Sequence, residues 1–121
     1  MDKKLELLEV FKNQYSDRDY TVTHTAPEFT SLCPKTGQPD FGKITIEYIP
    51  DKLCVELKSL KIYFNSYRND GIFYESAANK ILEDLIKVYK PRYMKVTAEF
   101  NVRGGISSLI VAEFKKKQST E

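Results

Sequence analysis

The sequence has one histidine, two cysteines, five glycines and five prolines in 121 residues, and no excess of charge of either sign. One histidine and two cysteines are too few to furnish an ordinary catalytic zinc site unaided. So little glycine and proline excludes a fibrous or disordered chain. The longest stretch without a charge runs only from Gly104 to Ala112, whereas a membrane-spanning helix needs about 20 apolar residues. The opening run Met1-Asp2-Lys3-Lys4-Leu5-Glu6 mixes acids and lysines, so no secretory signal is expected. Two cysteines then read as free thiols in a reducing cytoplasm. The 19 Lys and Arg barely exceed the 17 Asp and Glu, too small a margin for a protein that coats nucleic acid. The basic tail, 115–121, reads as a solvated end. Neither a GxxxxGK[ST] phosphate loop nor a GxGxxG turn is present.

What is present, 41% hydrophobic and 30% charged residues, suits one globular domain over 1–121. Leu5, Leu8 and Phe11 at helical spacing predict a short helix over 3–12. Asp17 to Thr25 reads as a strand, rich in Tyr, Thr and Val. Half of all the glycines and prolines fall in 26–42, which therefore reads as a long structured loop, the kind that carries function. Ile44, Ile46 and Tyr48 alternate with Thr45 and Glu47, a half-buried strand. Leu57, Leu60, Phe64 and Tyr67 form a helical stripe that Gly71 is expected to cap. A second helix is expected over 72–89, ended by Pro91. Strands follow over 93–100 and 106–114, joined by a turn at Arg103-Gly104-Gly105. Strands on both sides of a helix pair predict an α+β domain: a four-stranded antiparallel sheet with two helices on one face. Apolar residues on both sides of the last strand point to a second copy closing the sheet.

Two clusters invite chemistry. Cys33 is held extended by Pro34, and Gly37 and Pro39 can fold the chain back so that Asp40 approaches the sulfur. A thiol beside a carboxyl group suits nucleophilic attack with proton supply, although a small buried cysteine is the commoner role. Cys54, between Leu53 and Val55, reads as that commoner kind. Lys58 and Lys61 share a helix face, either as a solvated surface or as an anion site. Glu56 suits the positive end of that helix.

The run Glu56-Leu57-Lys58-Ser59-Leu60-Lys61-Ile62-Tyr63 resembles the signature of the nitrile reductases, E-[SL]-K-[SA]-hydrophobic-K-hydrophobic-aromatic. Leu32-Cys33-Pro34-Lys35-Thr36-Gly37-Gln38-Pro39-Asp40 resembles their nucleophile loop. Phe73-Tyr74-Glu75 matches the substrate-binding position, and Arg103-Gly104-Gly105 the last turn. The likeness covers roughly 24–114 in the right order, and is to the short, single-module group of the family.

The resemblance implies that the nitrile of 7-cyano-7-deazaguanine is reduced to a primary amine by two NADPH, in queuosine biosynthesis. It implies Cys33 as the nucleophile forming a thioimide and Asp40 as the proton donor. Val55, Glu56, Leu57, Tyr74 and Glu75 would bind the base, with the Glu75 carboxylate facing its paired N–H edge. Lys58, Lys61 and Arg103 would hold NADPH phosphates; no metal is implied. Many relatives carry His where this chain has Tyr74, which removes a titrating group there. Some protect the nucleophile by a disulfide to the second helix, but Ser76-Ala77-Ala78 holds no cysteine. The implied fold is the tunnelling fold, whose chains assemble barrels with active sites between subunits, here a decamer of two pentamers. The implied setting is cytoplasmic, without direct nucleic-acid or membrane contact. The alternative is a related group that adds ammonia to the same thioimide, forming an amidine without NADPH; it lacks the helix signature present here. Zinc-dependent pterin or GTP enzymes of that fold need more than one histidine.

Overall fold

A computed structural model describes residues 3–117. A single 3₁₀ turn at Lys4–Leu7 leads into β1 (Val10–Lys12), β2 (Val22–Leu32), β3 (Pro39–Ile49) and β4 (Leu53–Val55). Then follow α1 (Leu57–Asn65), α2 (Tyr74–Tyr89), β5 (Tyr93–Arg103) and β6 (Ile106–Lys115). The main sheet is antiparallel in the order β2-β3-β5-β6, and β1 pairs with β4 as a separate two-stranded ribbon. Both helices lie on one face of the main sheet, α2 over β5 and β6 and α1 beside β2. The α+β architecture expected from the sequence is therefore present.

Several boundaries differ from expectation. The helix over 3–12 is not formed: only the 3₁₀ turn is helical, and Val10 to Lys12 pair with Leu53 to Val55. Ten residues with a few leucines cannot sustain a helix alone, whereas Val10 and Phe11 gain a strand partner. The first long strand starts at Val22 rather than Asp17. The loop over 26–42 is mostly strand, and only 33–38 remains as a turn. Pro27 costs no ladder bond because β2 is an edge strand and its register shifts between Ala26 and Phe29. Pro39 is the first residue of β3, where a missing N–H is also tolerated. Gly71 does not cap α1: the helix ends at Ser66, and Gly71 instead bridges to Leu32. Of the basic tail, Lys115 closes β6 and Lys116 reaches Asp51, while 118–121 lie outside the described residues.

The core lies between the helices and the inward faces of β3 and β5, where Ile44, Ile46, Tyr48, Met94, Val96 and Ala98 are essentially inaccessible. Buried tyrosines tie the layers together because each hydroxyl finds a partner. Tyr48 Oη accepts from the Val55 N–H at 2.9 Å, and Tyr63 Oη donates to Asp84 Oδ2 at 2.7 Å. Gly42 is required on β3, since a Cβ there would stand 2.5 Å from the Glu99 carbonyl oxygen. The opposite face is polar through its middle, with Lys43 paired to Glu99 at 3.2 Å, but Leu109 and Val111 of β6 are exposed on it.

Candidate active site

The turn between β2 and β3 is one helical turn in miniature. The Gly37 N–H donates to the Cys33 carbonyl at 2.8 Å, with Gly37 in the left-handed region at φ 73°. Pro34 occupies the first helical position, where a missing N–H costs nothing, and Cys33 occupies the capping position. The thiol is thereby held below its usual range, first by the Thr36 hydroxyl and then by the N–H groups of Thr36 and Lys35. Partial burial and the Asp40 carboxylate oppose this. Cys33 is half-buried, and these donors favour its charged form.

Asp40, at the start of β3, is buried. Its Oδ1 takes two donors: Arg103 Nε at 2.9 Å and Tyr74 Oη at 3.0 Å. Thr30 Oγ1 donates to its main-chain carbonyl at 2.8 Å. Oδ2 has no hydrogen-bond partner among the described residues. Tyr74 is fixed by stacking on Phe100, ring centroids 3.8 Å apart and nearly parallel at 7°. Burial, then the bond to Asp40, raises the Tyr74 hydroxyl above its usual range. Arg103 reaches back because β5 continues to the hairpin tip, where Gly104 and Gly105 both take positive φ. Its Nη2 also donates to the Pro39 carbonyl at 2.6 Å.

Ser31 faces Asp40 directly across the ladder, and its Oγ is the one buried side-chain polar atom without a partner among the described residues. Glu75 follows Tyr74 in the first turn of α2, exposed and with no side-chain partner among the described residues. The turn, β3, α2 and β5 thus bring Cys33, Asp40, Tyr74, Glu75 and Arg103 to one end of the sheet.

The other expected site residues lie elsewhere. Glu56 caps α1, its Oε1 accepting from Ser59 N at 2.8 Å and its Oε2 from Lys58 N at 3.0 Å. Those N–H groups hold its carboxyl below the usual range. Val55 is buried, and Leu57 is 56% exposed between two clefts. Lys61 lines the larger cleft, about 730 Å³, with His24, Phe64 and Arg68, while Lys58 lines neither. Arg68 lies in the turn after α1, where no periodicity marks it, and only the packed structure brings it to the cleft. Phe41 and Asn101 border both this cleft and a smaller pocket of about 320 Å³ beside Asp40 and Arg103.

Val55 is tied to Tyr48, whereas Cys33 follows the β2 residue paired with Pro39. Tyr48 and Pro39 are separated by about 30 Å of strand at 3.3 Å per residue. One chain therefore does not bring Val55 to Cys33, while Leu57 shares the larger cleft with Phe41. The same separation applies to Cys54, which lies in β4 with its sulfur 3.8 Å from Tyr20 Oη. No disulfide can join Cys33 and Cys54 within a chain.

A half-buried thiol and a buried, doubly anchored carboxyl group share one end of an α+β scaffold, an arrangement suited to covalent, proton-coupled chemistry. Residues 39–119 match the family model of the QueF-like protein, and the chain belongs to that family. It is 58% identical over 115 residues to the NADPH-dependent 7-cyano-7-deazaguanine reductase of Chloroherpeton thalassium, covering 95% of this chain and 99% of that one. It is 56% identical to the enzyme of the same name from Chlorobaculum tepidum, covering 93% and 97%. Among solved structures it is similar to an archaeosine synthase QueF-Like in the apo form, with TM-score 0.74 and 28% identity over 81% of this chain and 96% of that one. The architecture is the tunnelling fold. No helix among the described residues is long and apolar enough to cross a membrane.

Proposed function

We propose that this protein reduces the nitrile of 7-cyano-7-deazaguanine to the primary amine with two NADPH, through a thioimide on Cys33. The observation that carries this reading is the meeting of Cys33 with Asp40, Tyr74 and Arg103 at one end of the sheet. The likeness to the named reductases, 56–58% over nearly the whole of both chains, supports the substrate and the cofactor.

A nitrile carbon accepts hydride poorly, so covalent activation comes first. The Cys33 sulfur adds to that carbon, and one electron pair of the C≡N bond moves to nitrogen. Nitrogen takes a proton from Asp40, which had received it from the thiol; the net step adds S–H across the triple bond. When bound, NADPH would supply two hydrides: the first, with a proton, reduces the thioimide carbon so that the C–S bond breaks, freeing the Cys33 thiol and an imine, and the second, with a further proton, gives the amine. Glu75, with no side-chain partner among the described residues, accepts from the two N–H groups on the guanine-like edge. Lys61, on a cleft that adjoins the Asp40 pocket across Phe41 and Asn101, suits a dinucleotide phosphate, with Lys58 beside it on the helix. Lys61 and Lys58 form no ion pair among the described residues, so their charge is available.

The base also needs Val55, Glu56 and Leu57, and about 30 Å of strand separates Tyr48, which holds Val55, from Pro39 beside the thiol's turn. A neighbouring copy brings them, joined at the open edges β2 and β6 and over exposed Leu109 and Val111. The assembly is a barrel-closing homo-oligomer, a decamer of two pentamers, working in the cytoplasm without direct nucleic-acid contact. Mixing protein, base and NADPH and following nicotinamide absorbance tests the chemistry. Two NADPH oxidised per base is expected; base consumed with ammonia and no NADPH oxidised would overturn the reading in favour of amidine formation. Activity retained by a monomer in light scattering would overturn the shared site.

A further inference from the structure

The resemblance puts Arg103 among the cofactor-phosphate ligands, but the structure gives that side chain other work. Its Nε is 2.9 Å from Asp40 Oδ1 and its Nη2 is 2.6 Å from the Pro39 carbonyl. Two nitrogens of one guanidinium thus grip two consecutive residues of β3, one by its side chain and one by its main chain. The carboxylate end of this grip is almost fully covered, with the Asp40 side chain 4% exposed. Tyr74 adds the second donor to the same Oδ1, from a ring locked against Phe100. Both donors converge on Oδ1, and Oδ2 is left without one.

We propose that Arg103 is a positioning residue for Asp40: with Tyr74 it fixes Oδ1, so that Oδ2 alone carries the proton delivered to the substrate nitrogen. A carboxylic acid so held accepts two hydrogen bonds at its carbonyl oxygen and keeps its hydroxyl free. That is the form a proton donor needs when the Cys33 sulfur adds to the nitrile. A carboxyl group free to spin about its Cβ–Cγ bond would present the wrong oxygen much of the time. Fixing it removes that loss before the bond-forming step. The inference rests on the nitrile-reducing reading of the site and adds the residue that aims its acid.

The test leaves NADPH out, so that any role on cofactor phosphate is silent. Wild type, Arg103→Gln, Asp40→Asn and the double variant are each mixed with 7-cyano-7-deazaguanine, and the Cys33 adduct is timed by intact mass. In parallel, each is alkylated with iodoacetamide, which consumes the thiolate and needs no proton donor. Arg103→Gln is expected to slow nitrile addition about tenfold or more while alkylation stays within about threefold. In the Asp40→Asn background the same change is expected to slow addition less than about twofold, because the acid it aims is already gone. The proposal is overturned if Arg103→Gln leaves nitrile addition unchanged, if both reactions slow together, or if the loss is the same in both backgrounds. Absence of any adduct in the wild type would instead sink the nitrile-reducing reading itself.

Discussion

The two ends of the β2–β3 hairpin differ in how finished they are. At the turn end, Asp40, Tyr74 and Arg103 are bonded within a single chain, at 2.9 and 3.0 Å on one carboxylate oxygen, with Cys33 on the adjoining turn. At the other end, Val55 is buried on Tyr48 and Glu56 caps α1, while Leu57 is exposed between two open clefts, the larger of which, bordered by Lys61, runs along β3 to Phe41. The first end takes its shape from contacts within one chain. The second is an open surface between two clefts. The two cysteines follow the same division: Cys33 is held among backbone donors, while Cys54 is buried near Tyr20.

The largest expected effect separates those two cysteines. Cys33→Ala should abolish the nitrile adduct seen by intact mass, and Cys54→Ala should leave it in place. An adduct that survives Cys33→Ala would move the chemistry to the other end of the hairpin. Glu75 comes next. Replacing it by Leu strands two donors of the bound base, a loss of about 3 kcal/mol for charged hydrogen bonds, or roughly a hundredfold in Kd by calorimetry. Binding as tight as wild type would take the base away from the first turn of α2.

How far the sequence foretold each end follows from the reach of the signals. β5, β6 and α2 were legible because alternation or helical spacing runs long there and Pro91 and Gly104-Gly105 punctuate it. In the sequence the hairpin carrying Cys33 resembles a loop, because Pro27, Pro39 and Gly42 look like breakers. An edge position, a strand start and a close strand approach make each of them acceptable. The three-residue strand β4 is too short to show a period. Cys33 and Asp40 stood out through their local run. The grip of Arg103 on Asp40 joins the hairpin tip to β3, far apart in sequence, and no local pattern encodes it. Ser31 carries no sequence signal for the same reason, since its lack of a partner shows only once the strand is packed.

A middle-sized effect sharpens the open end. Lys61 lines the large cleft and Lys58 does not, so Lys61→Ala should raise the KM for NADPH about tenfold and Lys58→Ala by less. Added salt should narrow the gap between wild type and Lys61→Ala, because it screens the charge that the variant lacks. Equal effects of the two lysines in steady-state kinetics would mean that the helix face, not the cleft, meets the cofactor.

The smallest expected effect tests how the finished end prepares its sulfur. The Thr36 hydroxyl is the first cause of the lowered Cys33 thiol, followed by the Thr36 and Lys35 N–H groups. All of these donors favour the charged form, so thiolate persists to a lower pH than in a free cysteine. The rate of iodoacetamide alkylation against pH should therefore rise at a lower pH for Cys33 than for a cysteine in an unfolded peptide. Thr36→Val removes the hydroxyl but keeps the backbone donors and the shape of the turn. Its profile should move up in pH without reaching that of the peptide, because the two N–H groups remain. A Thr36→Val profile that coincides with wild type would leave the backbone of the turn as the whole source of the activation. A wild-type profile that coincides with the peptide would mean that the miniature helical turn holds the sulfur in place without activating it.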